Sequence, residues 1–402
     1  MTVISEQFLS GRYSFLPIDT VLFGLHSIDK LSGEMDRLSI KAPLIITGNT
    51  ISTKTQLINK VLNKLPNRNC KIFSKVSERA PLAAVLEATK ISIEMKADCI
   101  LGIGGSTISD ASRVITVLNA YDIDSETQFK KWFKEKMPLE LLDTHGKSTL
   151  KQIFVPTTLS AGELNYASGT FDPAEKRKLR FGHPRLAPTL IVYDPQFSTD
   201  TPPWLWLSSG IKALDHAIER LYSPDCNPIT ETSCIRAIEL LTEFLPKTID
   251  TDHTLQDRAQ CFLGAWLSMS GYPNGGLGLS HAIGHVLGVK HWIPHGYTSC
   301  ITQPEVMEFN LPYSIHQQAS IAMAMGCKKQ NKSHEAIATE GHSRLRHFVQ
   351  ELKLPQRLSK VGIKSADLKS IAYDTLHDAG TQHNIRPITN SDQVIQVLRN
   401  MF

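Results

Sequence analysis

Two pairs of side chains stand one helical turn apart. His281 and His285 are four residues apart in Ser280-His281-Ala282-Ile283-Gly284-His285, and Lys212 and His216 are four apart upstream. At that spacing each pair shares a helix face. A third histidine segment, Pro294-His295-Gly296, follows after a short gap. Ile211, Leu214, Ile218 and Leu221 form an apolar stripe. Lys212 and His216 therefore lie on the neighbouring stripe, where both can face a cleft. His216, His281 and His295 offer three ring nitrogens of the kind that hold zinc or iron. A lone histidine of this sort is more often a hydrogen-bonded core residue, so the reading rests on several together. For Lys212 the alternative is that its ammonium snorkels to solvent.

Two polar turns could hold a nucleotide. Gly104-Gly105-Ser106-Thr107-Ile108-Ser109-Asp110 follows an apolar run and opens a helical pattern. Small residues let backbone N–H groups approach a pyrophosphate, and a helix N-terminus favours negative charge. Alone, such glycines can be simple tight-turn residues. A second turn, Pro156-Thr157-Thr158-Leu159-Ser160-Ala161-Gly162-Glu163, also follows an apolar run. In open α/β sheets ligands bind beyond the carboxyl ends of strands, and two such turns strengthen the nucleotide reading.

The elements that must position these groups differ between the two halves. Before residue 200, short β-rich runs at Pro43–Gly48, Cys70–Val76, Cys99–Ile103, Ile153–Val155 and Thr189–Tyr193 alternate with helical patterns such as Ala80–Met95. That rhythm predicts a mainly parallel sheet with both faces covered. Afterwards, apolar positions recur every three or four residues in Ile211–Tyr222, Glu231–Phe244, Ala259–Met269 and Ser343–Leu352, which predicts a helical domain. Pro202-Pro203 suits the boundary. The expectation is an α/β domain over residues 1–200 and an all-α domain over residues 201–402.

The chain has 402 residues, 41% hydrophobic and 20% charged, with a net charge of +4. No basic block suggests nucleic acid, and no apolar run is long enough for a transmembrane helix. Met1–Arg12 lacks an apolar signal core. Seven dispersed cysteines without a CxxC pair read as reduced thiols in a cytoplasmic protein.

The pattern resembles the iron-containing alcohol dehydrogenase superfamily, and more narrowly its maleylacetate reductase-like branch. The match is carried by Gly104–Asp110, by Pro156–Glu163 in the shorter form of that branch, and above all by Gly276–Gly288 followed by Pro294-His295-Gly296. It runs from about Phe23 to Asn310, leaving the last 90 or so residues as helical filler. The resemblance implies a dinucleotide-binding α/β domain plus a helical domain, the dehydroquinate synthase-like fold. It also implies NAD(P)H, a small-molecule substrate and a homodimer. Gly48, Asn49, Gly104, Gly105, Ser106, Thr107, Asp110, Thr157, Thr158 and Ser160 are the implied cofactor-binding positions. Lys212, His216, His281, His285 and His295 are the candidate catalytic residues.

Three departures matter. Metal-dependent members carry an Asp four residues before the first metal-binding His, and here that position is Lys212. Asp215 lies about 100° from His216 on a helix and does not simply replace that Asp. Ser106 stands where the family has a third glycine. Gly48 stands where NAD-selective relatives often carry an Asp, so an NADP 2′-phosphate would not be repelled. A divalent ion and an ammonium about 4 Å apart repel by roughly 8 kcal/mol at an effective dielectric of about 20. No metal is therefore expected, although His216, His281 and His295 would be its ligands. The leading reading is a metal-independent NAD(P)H-dependent reductase of an activated carbonyl or enone-like substrate. A positive pocket would suit a substrate carboxylate. The alternatives are a zinc- or iron-dependent alcohol dehydrogenase on three histidines, a dehydroquinate synthase-type lyase, and a non-catalytic cofactor-binding protein.

Overall fold

The computed structural model describes residues 10–135, 149–174, 177–250 and 254–402, with only the backbone of Arg177. Of the N-terminal stretch Met1–Arg12, residues 1–9 lie outside the described part. By internal contacts the chain divides into two units. One comprises Leu16–Thr158 and Gly162–Thr201; the other comprises Met1–Phe15, Leu159–Ala161 and Pro202–Phe402.

The first unit is built on a six-stranded sheet in the order β1-β8-β5-β4-β2-β3, with every pair parallel. The strands are β1 (Thr20–Phe23), β2 (Pro43–Ile46), β3 (Lys71–Phe73), β4 (Cys99–Gly104), β5 (Lys151–Pro156) and β8 (Leu190–Tyr193). Between β5 and β8 an antiparallel hairpin forms from β6 (Ala167–Asp172) and β7 (Arg177–Gly182). Alternate strand residues serve opposite cores. Leu44, Ile46 and Ile100 pack into one apolar cluster, while Ile45, Cys99, Leu101 and Ile103 pack into the other. A strand buried on both faces reads as a continuous apolar run, which is why these strands were legible in sequence. β1 and the hairpin were not among the expected strands. The helix α1 (Ser106–Ala120) follows β4 directly.

The second unit is helical, as the 3.6-residue rhythm predicts, and among its described residues it contains no strand. Three helices carry the histidines: α2 (Pro203–Tyr222), α3 (Leu279–Lys290) and α4 (His295–Asn310). Pro203 opens α2 at its first position, where a missing N–H costs nothing. From Trp206 to Tyr222 every residue of α2 is buried. Its polar residues must therefore find partners inside the protein. No helix among the described residues is long and apolar enough to cross a membrane.

Candidate functional site

In the α/β unit the two polar turns meet. β4 ends at Gly104, whose φ of 151° only glycine adopts readily. A Cβ there would also lie 2.6 Å from Ile108. Gly105 precedes α1, and a Cβ on it would stand 3.0 Å from the Thr158 hydroxyl. The Thr157 N–H donates to the Gly104 carbonyl at 3.1 Å. Ser106, in the place of the third glycine, is accommodated by Gly162: a Cβ at 162 would meet that of Ser106 at 2.8 Å. The buried Arg113 guanidinium donates to the carbonyls of Gly162 (2.8 Å), Glu163 (3.0 Å) and Leu186 (3.3 Å). It thereby ties α1 to the second turn. Tyr193 donates to the buried Glu163 carboxylate at 2.7 Å, anchoring the same turn from β8.

Gly48 and Asn49 sit where β2 gives way to a short helix. β2 neighbours β4, and β4 neighbours β5. The ends of three adjacent strands thus present Gly48, Gly104-Gly105 and Thr157-Thr158 side by side. N–H groups in the first turn of α1 have no intrahelical acceptor, and this arrangement suits an anion. Asp110 is turned elsewhere, pairing with Lys178 of β7 and lying 3.9 Å from Arg113. Ser160 belongs to the short stretch Leu159–Ala161, which packs with the helical unit. A side chain at position 105 would crowd Thr158 and the pyrophosphate approach. Gly105→Val is expected to raise the Kd for NAD(P)H at least about tenfold, or about 1.4 kcal/mol. Fluorescence titration of a variant with wild-type circular dichroism checks this, and an unchanged Kd removes the turn from the argument.

In the helical unit, Lys212, Asp215, His216 and Glu219 come from one face of α2. Relative to Lys212 they stand at about 300°, 40° and 340°, so all four lie within an arc of about 100°. All are buried. Lys212 Nζ is 3.4 Å from Asp215 Oδ2, which also accepts the Ser299 hydroxyl of α4 at 2.5 Å. The His216 and His281 rings stack at 4.9 Å. His281 Nδ1 is 2.7 Å from Glu219 Oε2 and 3.5 Å from Asp215 Oδ2. Glu219 further accepts the N–H groups of Gly278 (2.8 Å) and Ser280 (2.7 Å) at the start of α3. Ring centroids of His281 and His285 are 6.4 Å apart, and those of His285 and His295 are 5.8 Å apart. The structure thus gathers Lys212, His216, His281, His285 and His295 into a row on α2, α3 and α4.

One inference about Lys212 is corrected and one relation was missed. Asp215, about 100° from His216, lies 3.4 Å from the ammonium. Measuring the angle from His216 hid that Asp215 is three residues from Lys212, within reach of its ammonium. The pocket is not positive, because Asp215 and Glu219 offset the ammonium. The roughly 8 kcal/mol repulsion therefore overstates what a metal ion would meet. Glu219 and Ser299 were missed, although 212, 215, 216 and 219 follow helical spacing that could have revealed Glu219. Asp378, 93 residues from His285 and within 3.2 Å of its Nδ1, had no local signal. The C-terminal residues are thus more than helical filler.

Burial sets the proton affinities. It lowers the Lys212 pKa, with Asp215 and Glu219 pulling the other way. Burial also holds His216 well below the usual imidazole range, reinforced by His281 and Lys212. It does the same to His281, reinforced by Lys212. Glu219 is pushed up to about 7 by burial, against its backbone hydrogen bonds and Lys212. A neutral His281 whose Nδ1–H faces Glu219 exposes Nε2 as an acceptor, and Nε2 is buried with no protein partner.

Among the described residues, one set of three metal-ligating types converges within 4.8 Å: Asp215, Glu219 and His281. Some of its donor atoms are already engaged. Glu219 Oε1 and Oε2 accept backbone N–H groups, His281 Nδ1 faces Glu219, and Asp215 Oδ2 accepts Ser299 and faces Lys212. A divalent ion needs deprotonated, uncommitted ligands. Asp215 Oδ1 and His281 Nε2 stay uncommitted, each buried without a hydrogen-bond partner, so the set keeps two free donor atoms.

Comparison with known proteins agrees with this geometry. The family described as iron-containing alcohol dehydrogenase matches residues 19–195, and the family's C-terminal domain matches residues 206–402. The match therefore extends past Asn310 to the C-terminus. The chain is 25% identical over 394 residues to NAD-dependent methanol dehydrogenase of Bacillus methanolicus, covering 96% of this chain and 98% of that one. It is 24% identical to maleylacetate reductase 1 of Cupriavidus pinatubonensis, covering 95% and 94%. The crystal structure of a 1,3-propanediol oxidoreductase superposes with a TM-score of 0.87 at 22% identity, covering 98% and 100%. The chain is an oxidoreductase of the iron-containing alcohol dehydrogenase superfamily.

Proposed function

We propose that the protein is an NAD(P)H-dependent reductase of a small activated carbonyl or enone-like substrate that works without a metal. The observation that carries this reading is Lys212. Its ammonium is buried 3.4 Å from Asp215 Oδ2, which itself lies 3.5 Å from His281 Nδ1. NAD-dependent and maleylacetate-reducing relatives support the cofactor and the branch.

When bound, NAD(P)H would supply a hydride to the carbonyl carbon. Charge then develops on the carbonyl oxygen and must be stabilised. Lys212 Nζ–H donates to that oxygen and passes it a proton, and its lowered pKa makes the transfer easier. Asp215, fixed by Ser299, holds the ammonium in place. His281 accepts at Nε2 because Glu219 holds its other nitrogen. The near-neutral pocket favours an uncharged carbonyl over one bearing a carboxylate beside the reacting centre. The absence of an acid at Gly48 leaves both NADH and NADPH acceptable. Reduced thiols suit a cytoplasmic setting, and the family resemblance supports a homodimer.

The test uses the purified full-length chain. Oxidation of NADH and of NADPH is followed against aldehydes, ketones and enone-like keto acids, with elemental analysis of the same sample. The expected result is turnover with both nucleotides, well under one metal per chain, and activity that survives EDTA. Stoichiometric zinc or iron, with activity lost on chelation, overturns the metal-free mechanism. Strong rejection of NADPH overturns the reading of Gly48.

A further inference from the structure

We propose that Asp378 is a positioning residue for proton transfer, holding His285 as the Nδ1–H tautomer so that Nε2 is the proton-accepting edge of the ring. The proposal rests on the reductase reading above. His285 Nδ1 lies 3.1 Å and 3.2 Å from the two Asp378 carboxylate oxygens. A carboxylate accepts, so the ring proton belongs on Nδ1. One turn earlier on α3, His281 Nδ1 faces Glu219 in the same way. Two successive histidines on one helix are thus each oriented by an acid from another segment.

Asp378 is itself held rigidly. Its Oδ1 accepts the Gly380 N–H at 2.9 Å. Gly380 lies so close to α3 that a Cβ would stand 3.0 Å from the Gly278 carbonyl and 3.3 Å from the Ala282 Cβ. A few residues on, Asn384 accepts the Leu279 N–H at 3.3 Å and exchanges two hydrogen bonds with Asn310. The segment from Asp378 to Asn384 is therefore clamped onto the first half of α3.

The chemistry needs such a route. Carbonyl reduction forms one C–H bond from the cofactor's hydride and one O–H bond from a proton, giving alcohol and NAD(P)+. Lys212 loses that proton and must recover one each turnover. Lys212 and His281 are buried, whereas the His285 side chain is 27% exposed and that of Asp378 17%. The buried row reaches the surface at this end, where His285 is partly exposed and His295, its ring 5.8 Å away, is exposed. The titratable groups near His285 include Asp378, His281 and His295. The Lys290–Asp374 pair lies at the far end of α3.

The test compares Asp378→Asn, Asp378→Glu, His285→Ala and the Asp378→Asn/His285→Ala double variant with wild type. Asp378→Asn keeps an acceptor for Gly380 but removes the charge. It should lower kcat at least about tenfold and leave the KM for nucleotide within about twofold. Asp378→Glu should recover most of kcat, and the double variant should be no slower than His285→Ala. Independently of activity, nitrogen-15 NMR should place the His285 proton on Nδ1 in wild type and shift it toward Nε2 in Asp378→Asn. An unchanged tautomer overturns the proposal. So does a changed tautomer with unchanged kcat, which would make the pair merely structural. A wild type that turns over no carbonyl sinks the reductase reading and this role with it, and that failure is recognised because it precedes any variant.

Discussion

Replacing Lys212 with methionine is expected to lower kcat/KM for carbonyl reduction by at least about a thousandfold while leaving the Kd for NAD(P)H within about threefold. Methionine keeps much of the apolar stem and removes the ammonium. Removing a single oxyanion donor costs about 10²–10³ in kcat, and loss of a general acid about 10²–10⁴. Lys212 is assigned both tasks, and effects of one group acting twice do not simply multiply. The variant should fold, because burying an ammonium is itself unfavourable. Asp215 keeps the Ser299 hydroxyl once its cation is gone. Lys212→Asp goes further. It places a third carboxylate beside Asp215, Glu219 and His281, and should bind zinc or manganese near one ion per chain while losing the native activity. Steady-state kinetics with nucleotide titration checks the first variant, and elemental analysis the second. A Lys212→Met enzyme with wild-type kcat would remove Lys212 from the chemistry.

The α/β unit could be read where burial is two-sided. Leu44, Ile45 and Ile46 feed both apolar clusters in turn, so the run is apolar throughout and stands out. β1 (Thr20–Phe23) was missed; it is an edge strand paired only with β8, with no residue fully buried. The hairpin Ala167–Gly182 was missed as well. Strands such as Ala-Ser-Gly-Thr-Phe-Asp and Arg-Lys-Leu-Arg-Phe-Gly are too polar to show an apolar rhythm.

The site was legible to the extent that its partners are local. His281 and His285, or Lys212 and His216, are neighbours by helix geometry alone. Asp215 and Glu219 obey the same geometry, but charged residues on a helix usually face solvent, and only the tertiary structure shows α2 buried all round. The contacts between α3 and the C-terminal segment lie beyond any local pattern. His285 meets Asp378, and Leu279 meets Asn384, across gaps of 93 and 105 residues. Such contacts depend on how whole helices dock, not on spacing within one of them.

Glu219→Gln is expected to lower kcat by about a hundredfold or more and to change how stability responds to pH. Glu219 accepts three hydrogens: from Gly278, from Ser280 and from His281 Nδ1. A glutamine has one acceptor oxygen and an NH₂ group that must face one of those N–H groups. Leaving a buried donor unsatisfied costs about 1–3 kcal/mol. The NH₂ group also favours the opposite His281 tautomer, with the proton on Nε2, where an acceptor is wanted. The pH argument has a definite sign. Burial pushes the Glu219 pKa up to about 7 from its ordinary 4.5. Between those values the folded state holds a proton that the unfolded chain has released, so wild-type stability falls as pH rises through this window. The full change is about 3 kcal/mol, from about 1.4 kcal/mol per pKa unit. It is present below pH about 4.5 and lost above about 7. Glutamine cannot titrate, so the variant lacks this slope, and the destabilisation relative to wild type should be larger at pH 5 than at pH 8. Urea unfolding of both proteins at the two pH values, with kcat measured alongside, checks the prediction. A stability gap that does not change with pH would mean that Glu219 is ionised throughout, held so by the start of α3 and by Lys212.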